Sequence, residues 1–91
     1  MKTYILIIEG DADSGYSAYF PDVLGCVTAG DSLDEIRRLA VEVIEFHLEG
    51  EAAPPARSLA EILADPEVAT ALDGTELFAP VVCHAEHFAE V

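Results

Sequence analysis

The period of apolar positions changes several times along this chain, and each change marks an element. Thr3-Tyr-Ile-Leu-Ile-Ile-Glu9 is a continuous β-branched and aromatic run, the pattern of a strand covered on both faces. A first strand is expected over about 2–9. The polar loop Glu9-Gly-Asp-Ala-Asp-Ser-Gly15 then turns the chain back as a hairpin longer than the minimal one. From Tyr16 the period becomes two, with Tyr16, Ala18 and Phe20 on one face and Ser17 and Tyr19 on the other. Pro21 cannot donate to a ladder and ends a second strand of about 15–20. Gly25 and Gly30 bracket a third, about 25–30.

The period then lengthens. Leu33, Ile36, Ala40, Val43, Ile44 and His47 recur at three and four residues, which predicts an amphipathic helix over about 33–49 with Gly50 as its stop. Ser32 and Glu35 have the spacing of a capping box, and Asp34 and Glu35 lie where the helix dipole favours negative charge. Asp34, Arg38, Glu42, Glu45 and Glu49 mark the outer face. Residues 51–57, with Ala-Ala-Pro-Pro-Ala at their centre, read as an extended linker. A second capping box, Ser58 and Glu61, opens short helical turns over about 59–72 that Asp65-Pro66 interrupts. A last strand is expected over about 76–84, on an edge or at a bulge because of Pro80. The fold class is α+β: an antiparallel three-stranded meander, a main helix on one face, short helices and a further strand. A single helix covers one face of such a sheet, so the other face calls for a second copy or a partner, and a homo-oligomer is expected.

Composition narrows what this fold is for. The 91 residues suit a single domain over 1–91, and 52% apolar against 24% charged positions is a globular balance. Eighteen acidic residues oppose only Lys2, Arg37, Arg38 and Arg57, for a net charge of −14. Phosphate binding needs clustered Lys and Arg, so direct nucleic-acid binding is not expected, and a basic partner is favoured. No stretch has the length of a membrane span or the pattern of a signal peptide, so a cytoplasmic protein without membrane association is expected. Cys26 and Cys83 then behave as small, reduced, apolar residues.

Candidate chemistry is sparse. Asp11, Asp13 and Ser14 fall in a loop with calcium-like spacing, but Tyr16 stands where that pattern requires Gly. Cys83, His84 and His87, with Glu86 between them, offer metal-ligand types in a spacing that matches no closed zinc set. Asp31, Asp34 and Glu35 are carboxylates at a helix start, where capping explains them. His47 reads as a stripe residue. No nucleophile arrangement and no phosphate loop is present, so neither catalysis nor a metal or other cofactor is expected. Two other readings stay open: a divergent metal-dependent ribonuclease using Glu9, Asp11 and Asp31, and a metal or ligand sensor built on Cys83, His84 and His87.

The segment Tyr16-Ser-Ala-Tyr-Phe-Pro-Asp-Val-Leu-Gly-Cys-Val-Thr-Ala-Gly-Asp-Ser-Leu-Asp-Glu35, with an acidic helix ending His47-Leu-Glu-Gly50, resembles the HicB-like antitoxin family. The likeness covers residues 3–50 well, and the proline segment and last strand more loosely. It implies a truncated RNase H-like fold and the neutralisation of a small basic HicA-type toxin, an mRNA interferase. Relatives of this kind often carry a C-terminal DNA-binding module, and these 91 residues contain none, so operator binding is not expected of them. RNase H chemistry places a carboxylate in the middle of the first strand, and Tyr4 to Ile8 has none. Partner contacts are expected at Tyr16, Tyr19, Phe20, Pro21 and Asp22 around the aromatic turn, and at Asp31, Asp34 and Glu35.

Overall fold

The computed structural model describes residues 2–83 of the chain. In chain order its elements are β1 (Lys2–Asp11), β2 (Gly15–Tyr19), β3 (Val27–Gly30), α1 (Leu33–Leu48), α2 (Leu59–Ala64), α3 (Pro66–Ala71) and β4 (Leu77–Cys83). The α+β class holds, but the sheet has four antiparallel strands in the order β3-β2-β1-β4, one more than the meander alone. β4 joins it by pairing with β1 from Lys2↔Cys83 to Ile8↔Leu77, and forms the edge that Pro80 calls for. The expected last strand runs to His84, which lies outside the described residues, as do Glu86, His87 and the tail.

Pleating sorts the side chains. Tyr4, Leu6 and Ile8 of β1, Ala18 of β2 and Val81 and Cys83 of β4 form one core with Ile36, Ala40, Ile44 and Leu48 of α1. The helix stripe is therefore the i, i+4 row that ends on Leu48. His47, expected in the stripe, is exposed, because the row advances by fours and passes it by. Ser32 caps α1 through the Glu35 N–H, while the Glu35 carboxylate reaches one residue further back, to the Asp31 N–H at 2.9 Å. α2 has the complete Ser58–Glu61 box, and Asp65 serves at once as its C-cap and as the N-cap of α3.

The second face of the sheet is covered in part by the chain itself. Ile7 points away from the α1 core and is fully buried, as is Ile62 of α2. Ile7 is thus covered within the chain, while Phe78 and Val82 of β4, on the same face of the sheet, stay exposed. The Tyr4 hydroxyl donates to the Pro54 carbonyl at 2.6 Å, which fastens the proline segment to the core. Burial chiefly, with Cys83 and Asp22 adding to it, pushes that hydroxyl up to about 12. The hairpin loop is tighter than expected: pairing continues to Asp11↔Gly15, and Gly10 allows it, since a Cβ there would overlap the Gly15 carbonyl oxygen. No helix among the described residues is long and apolar enough to cross a membrane.

Candidate functional site

The turn from Phe20 to Cys26 is closed by its own backbone. The Val23 N–H donates to the Phe20 carbonyl at 3.1 Å and the Cys26 N–H to that of Val23 at 3.2 Å. Gly25, at φ +80°, supplies the left-handed residue the turn needs. Phe20, Val23 and Cys26 are drawn into the core, which leaves Leu24 at the tip 88% exposed and Val27 at the start of β3 63% exposed. A large apolar side chain held in water at the tip of a hydrogen-bonded turn does nothing for this fold.

Beside that turn lies a groove of about 330 Å³, with Tyr19, Pro21, Leu24 and Val27 on one wall and Val68 and Ala71 of α3 on the other. One cation ties the walls together. Arg57 donates from Nε to Asp22 Oδ1 at 2.6 Å and from Nη1 to Asp65 Oδ2 at 2.9 Å, and its backbone N–H donates to Asp22 Oδ2 at 2.7 Å. The Asp22 side chain is only 5% exposed and that of Arg57 32% exposed, so this is a shielded contact rather than a loose surface pair. The Arg57 hydrogen bond, then the Glu67 N–H, hold the Asp65 carboxyl below its ordinary value. Bonds to Asp65 and then Asp22 raise the guanidinium.

The expected contact residues separate into two groups. Tyr19, Phe20 and Pro21 line the groove, Phe20 mainly as a buried anchor, and Asp22 sits behind it as the partner of Arg57. Tyr16 is half-buried against the core. Asp31, Asp34 and Glu35 lie past the far end of β3, where Asp31 and Asp34 are exposed and Glu35 is committed to the Asp31 N–H. Leu24, Val27, Arg57, Asp65, Val68 and Ala71 were not among the expected residues. Leu24 carried a readable signal, a bare leucine in a glycine turn; Val68 and Ala71 reach the groove only through tertiary folding.

Glu9, Asp11 and Asp31 do not converge. Among the described residues no three His, Cys, Asp or Glu side chains gather as metal ligands would. The Asp11 carboxylate accepts instead from the N–H groups of Asp13 and Ser14 and from the Ser14 hydroxyl, at 2.7–2.9 Å, which closes its own loop and lowers its proton affinity. Cys26 and Cys83 are buried free thiols, pushed up to about 11 mainly by burial. His84 and His87 of the suggested metal cluster lie outside the described residues.

Fold and groove together define a small, strongly acidic α+β protein with an apolar groove beside one sheet edge. Residues 4–78 match the family described as HicB-like antitoxin of bacterial toxin–antitoxin systems, and the chain belongs to that family. It is 38% identical over 69 residues to an uncharacterized 14.9 kDa protein from the rep-hol intergenic region of Haemophilus phage HP1, a match covering 70% of this chain and 51% of that one. Against a UPF0150 protein of Archaeoglobus fulgidus it is 39% identical over 46 residues, 50% of this chain and 67% of that one. The chain thus spans about half the length of the phage relative. Among solved structures, the Burkholderia pseudomallei antitoxin HicB superposes with a TM-score of 0.74 at 20% identity, covering 97% of this chain and 67% of that one. A chain of the HicA3–HicB3 toxin–antitoxin complex superposes with a TM-score of 0.68 at 25% identity, covering 91% of this chain and 99% of that one.

Proposed function

We propose that this chain is a non-enzymatic antitoxin that binds and neutralises a small basic HicA-type mRNA interferase. The observation that carries the reading is the match of residues 4–78 to the HicB-like family, supported by the likeness to a chain of a toxin–antitoxin complex. Charge supports it independently, since a chain of net charge −14 attracts a basic protein and repels RNA and DNA. The contact surface is built from Tyr19, Phe20, Pro21 and Asp22 with the groove behind them, and from Asp31, Asp34 and Glu35 beyond β3, with Tyr16 between the two. The chain acts as one unit of truncated RNase H-like architecture, with 51–57 a linker inside it, and it works in the cytoplasm. Self-association runs through Phe46 and Phe78, exposed aromatics among the described residues.

A ribonuclease reading is disfavoured by the separation of Glu9, Asp11 and Asp31. The test is co-expression with a HicA-type toxin, preferably one encoded nearby: restored growth and a complex that survives purification are expected. A toxin that kills equally well in the presence of this chain refutes the antitoxin reading.

A further inference from the structure

Among the described residues the strand order leaves two free edges, β3 and β4, and they are not equivalent. Pro80, in the middle of β4, has no N–H and interrupts any ladder built outward from that strand. β3 has no such break. The Phe20 N–H donates to the Cys26 carbonyl at 3.3 Å one step beyond the Tyr19↔Val27 pair, which fixes the hydrogen-bonding phase of the β2–β3 ladder. Antiparallel pairs alternate, which directs Thr28 and Gly30 toward β2. By the same alternation, the N–H and C=O of Val27 and Ala29 point away from the sheet. Both residues are exposed, and the groove opens beside Val27.

We infer that the free edge of β3 receives an extended segment of the toxin as a fifth strand, with one apolar side chain of that segment seated in the groove against Leu24, Val27 and Val68. This rests on the antitoxin reading above and specifies its contact. The occupant follows from charge. Asp31 and Asp34 stand exposed at one end of β3, and Glu67 lines the groove at the other. The nearby cation, Arg57, is already engaged by Asp22 and Asp65. A segment with an apolar centre and Lys or Arg at its ends fits between these carboxylates. A second copy of this chain would bring the same acidic flanks and a further −14 of charge.

Backbone pairing has a signature that a contact between side chains alone lacks. The chain, labelled with ¹⁵N, is followed by amide hydrogen exchange, free and with the unlabelled HicA-type toxin whose activity it neutralises. Exchange at Val27 and Ala29 is expected to slow by roughly two orders of magnitude in the complex. The amides of Phe78 and Val82 on the opposite edge are expected to keep their free rates. A complex in which Val27 and Ala29 exchange as in the free chain overturns strand addition and leaves the antitoxin reading standing. Protection at Phe78 and Val82 instead overturns the choice of edge. Absence of any complex removes both readings.

Discussion

Arg57 is one of four cations against 18 carboxylates, and it holds the proline segment to the turn and to α3 at once. Its two partners are not equal. Asp22 is nearly buried and accepts two bonds from the same residue, whereas Asp65 is more exposed and also caps α3. Asp22→Ala leaves Arg57 without its shielded partner and is expected to lower the thermal midpoint by on the order of 5 °C. Asp65→Ala is expected to cost less, and the ranking by thermal melts is the check. The pH dependence has a fixed sign. Asp65 has its carboxyl lowered in the folded chain, so its contribution is complete above the ordinary value of 3.8 and is lost as pH falls through the lowered one. Acid melts of wild type and Asp65→Ala are therefore expected to converge below that value. Arg57 lies 35 residues from Asp22, and nothing local announces the pair. What the sequence does display is a lone arginine after two prolines in an acidic chain, a cue that becomes meaningful once the walls it joins are known.

At the scale of elements, α1 and the α2–α3 pair depend on different physics. α1 buries an unbroken row of four side chains, so Ile44→Ala is expected to cost about 2–5 kcal/mol, seen as a lower denaturant midpoint at unchanged slope. α2 and α3 have six residues each, too few to persist on their own, and hold by caps, Ile62 and the Arg57 bridge. Ser58→Ala is expected to cost only about 1 kcal/mol overall. Amides of α2 and α3 are expected to exchange well before those of the β1 centre, and uniform exchange across the chain would contradict this. This contrast also tracks what was legible. The Ser32 and Ser58 caps, Gly25 and Pro66 act between neighbours in sequence and could be read, whereas the expected Ser32–Glu35 box closes only from the Ser32 side, since Glu35 reaches back to Asp31. The pairing of β4 with β1, the burial of Ile7 and the wall made by Val68 and Ala71 arise between segments far apart in sequence. Periodicity alone could not place them. His47 was misassigned for a subtler reason: three-residue and four-residue spacings both suit a helix, and only the sheet beneath α1 selects the row ending at Leu48.

For the whole molecule, charge and shape assign separate parts of recognition. The carboxylates are spread over the chain, at the hairpin, the start of α1, its outer face and α3, so the field of −14 acts on a basic partner before any contact forms. In the proposed complex the apolar groove and the Leu24 tip act only at contact and are expected to set how long the complex lasts. The two are separable experimentally. Raising ionic strength from about 0.01 to 0.5 M shortens the screening length from about 30 Å to a few ångströms. The association rate with the HicA-type toxin is then expected to fall by at least tenfold, while the dissociation rate changes little. Leu24→Ser removes apolar area and leaves the charge untouched, so it is expected to raise the dissociation rate with the same salt dependence of association. A variant with Asp31 and Asp34 both changed to Asn should do the reverse. If Leu24→Ser alters only the association rate, or if association is indifferent to salt, the division between a steering field and an apolar anchor is wrong.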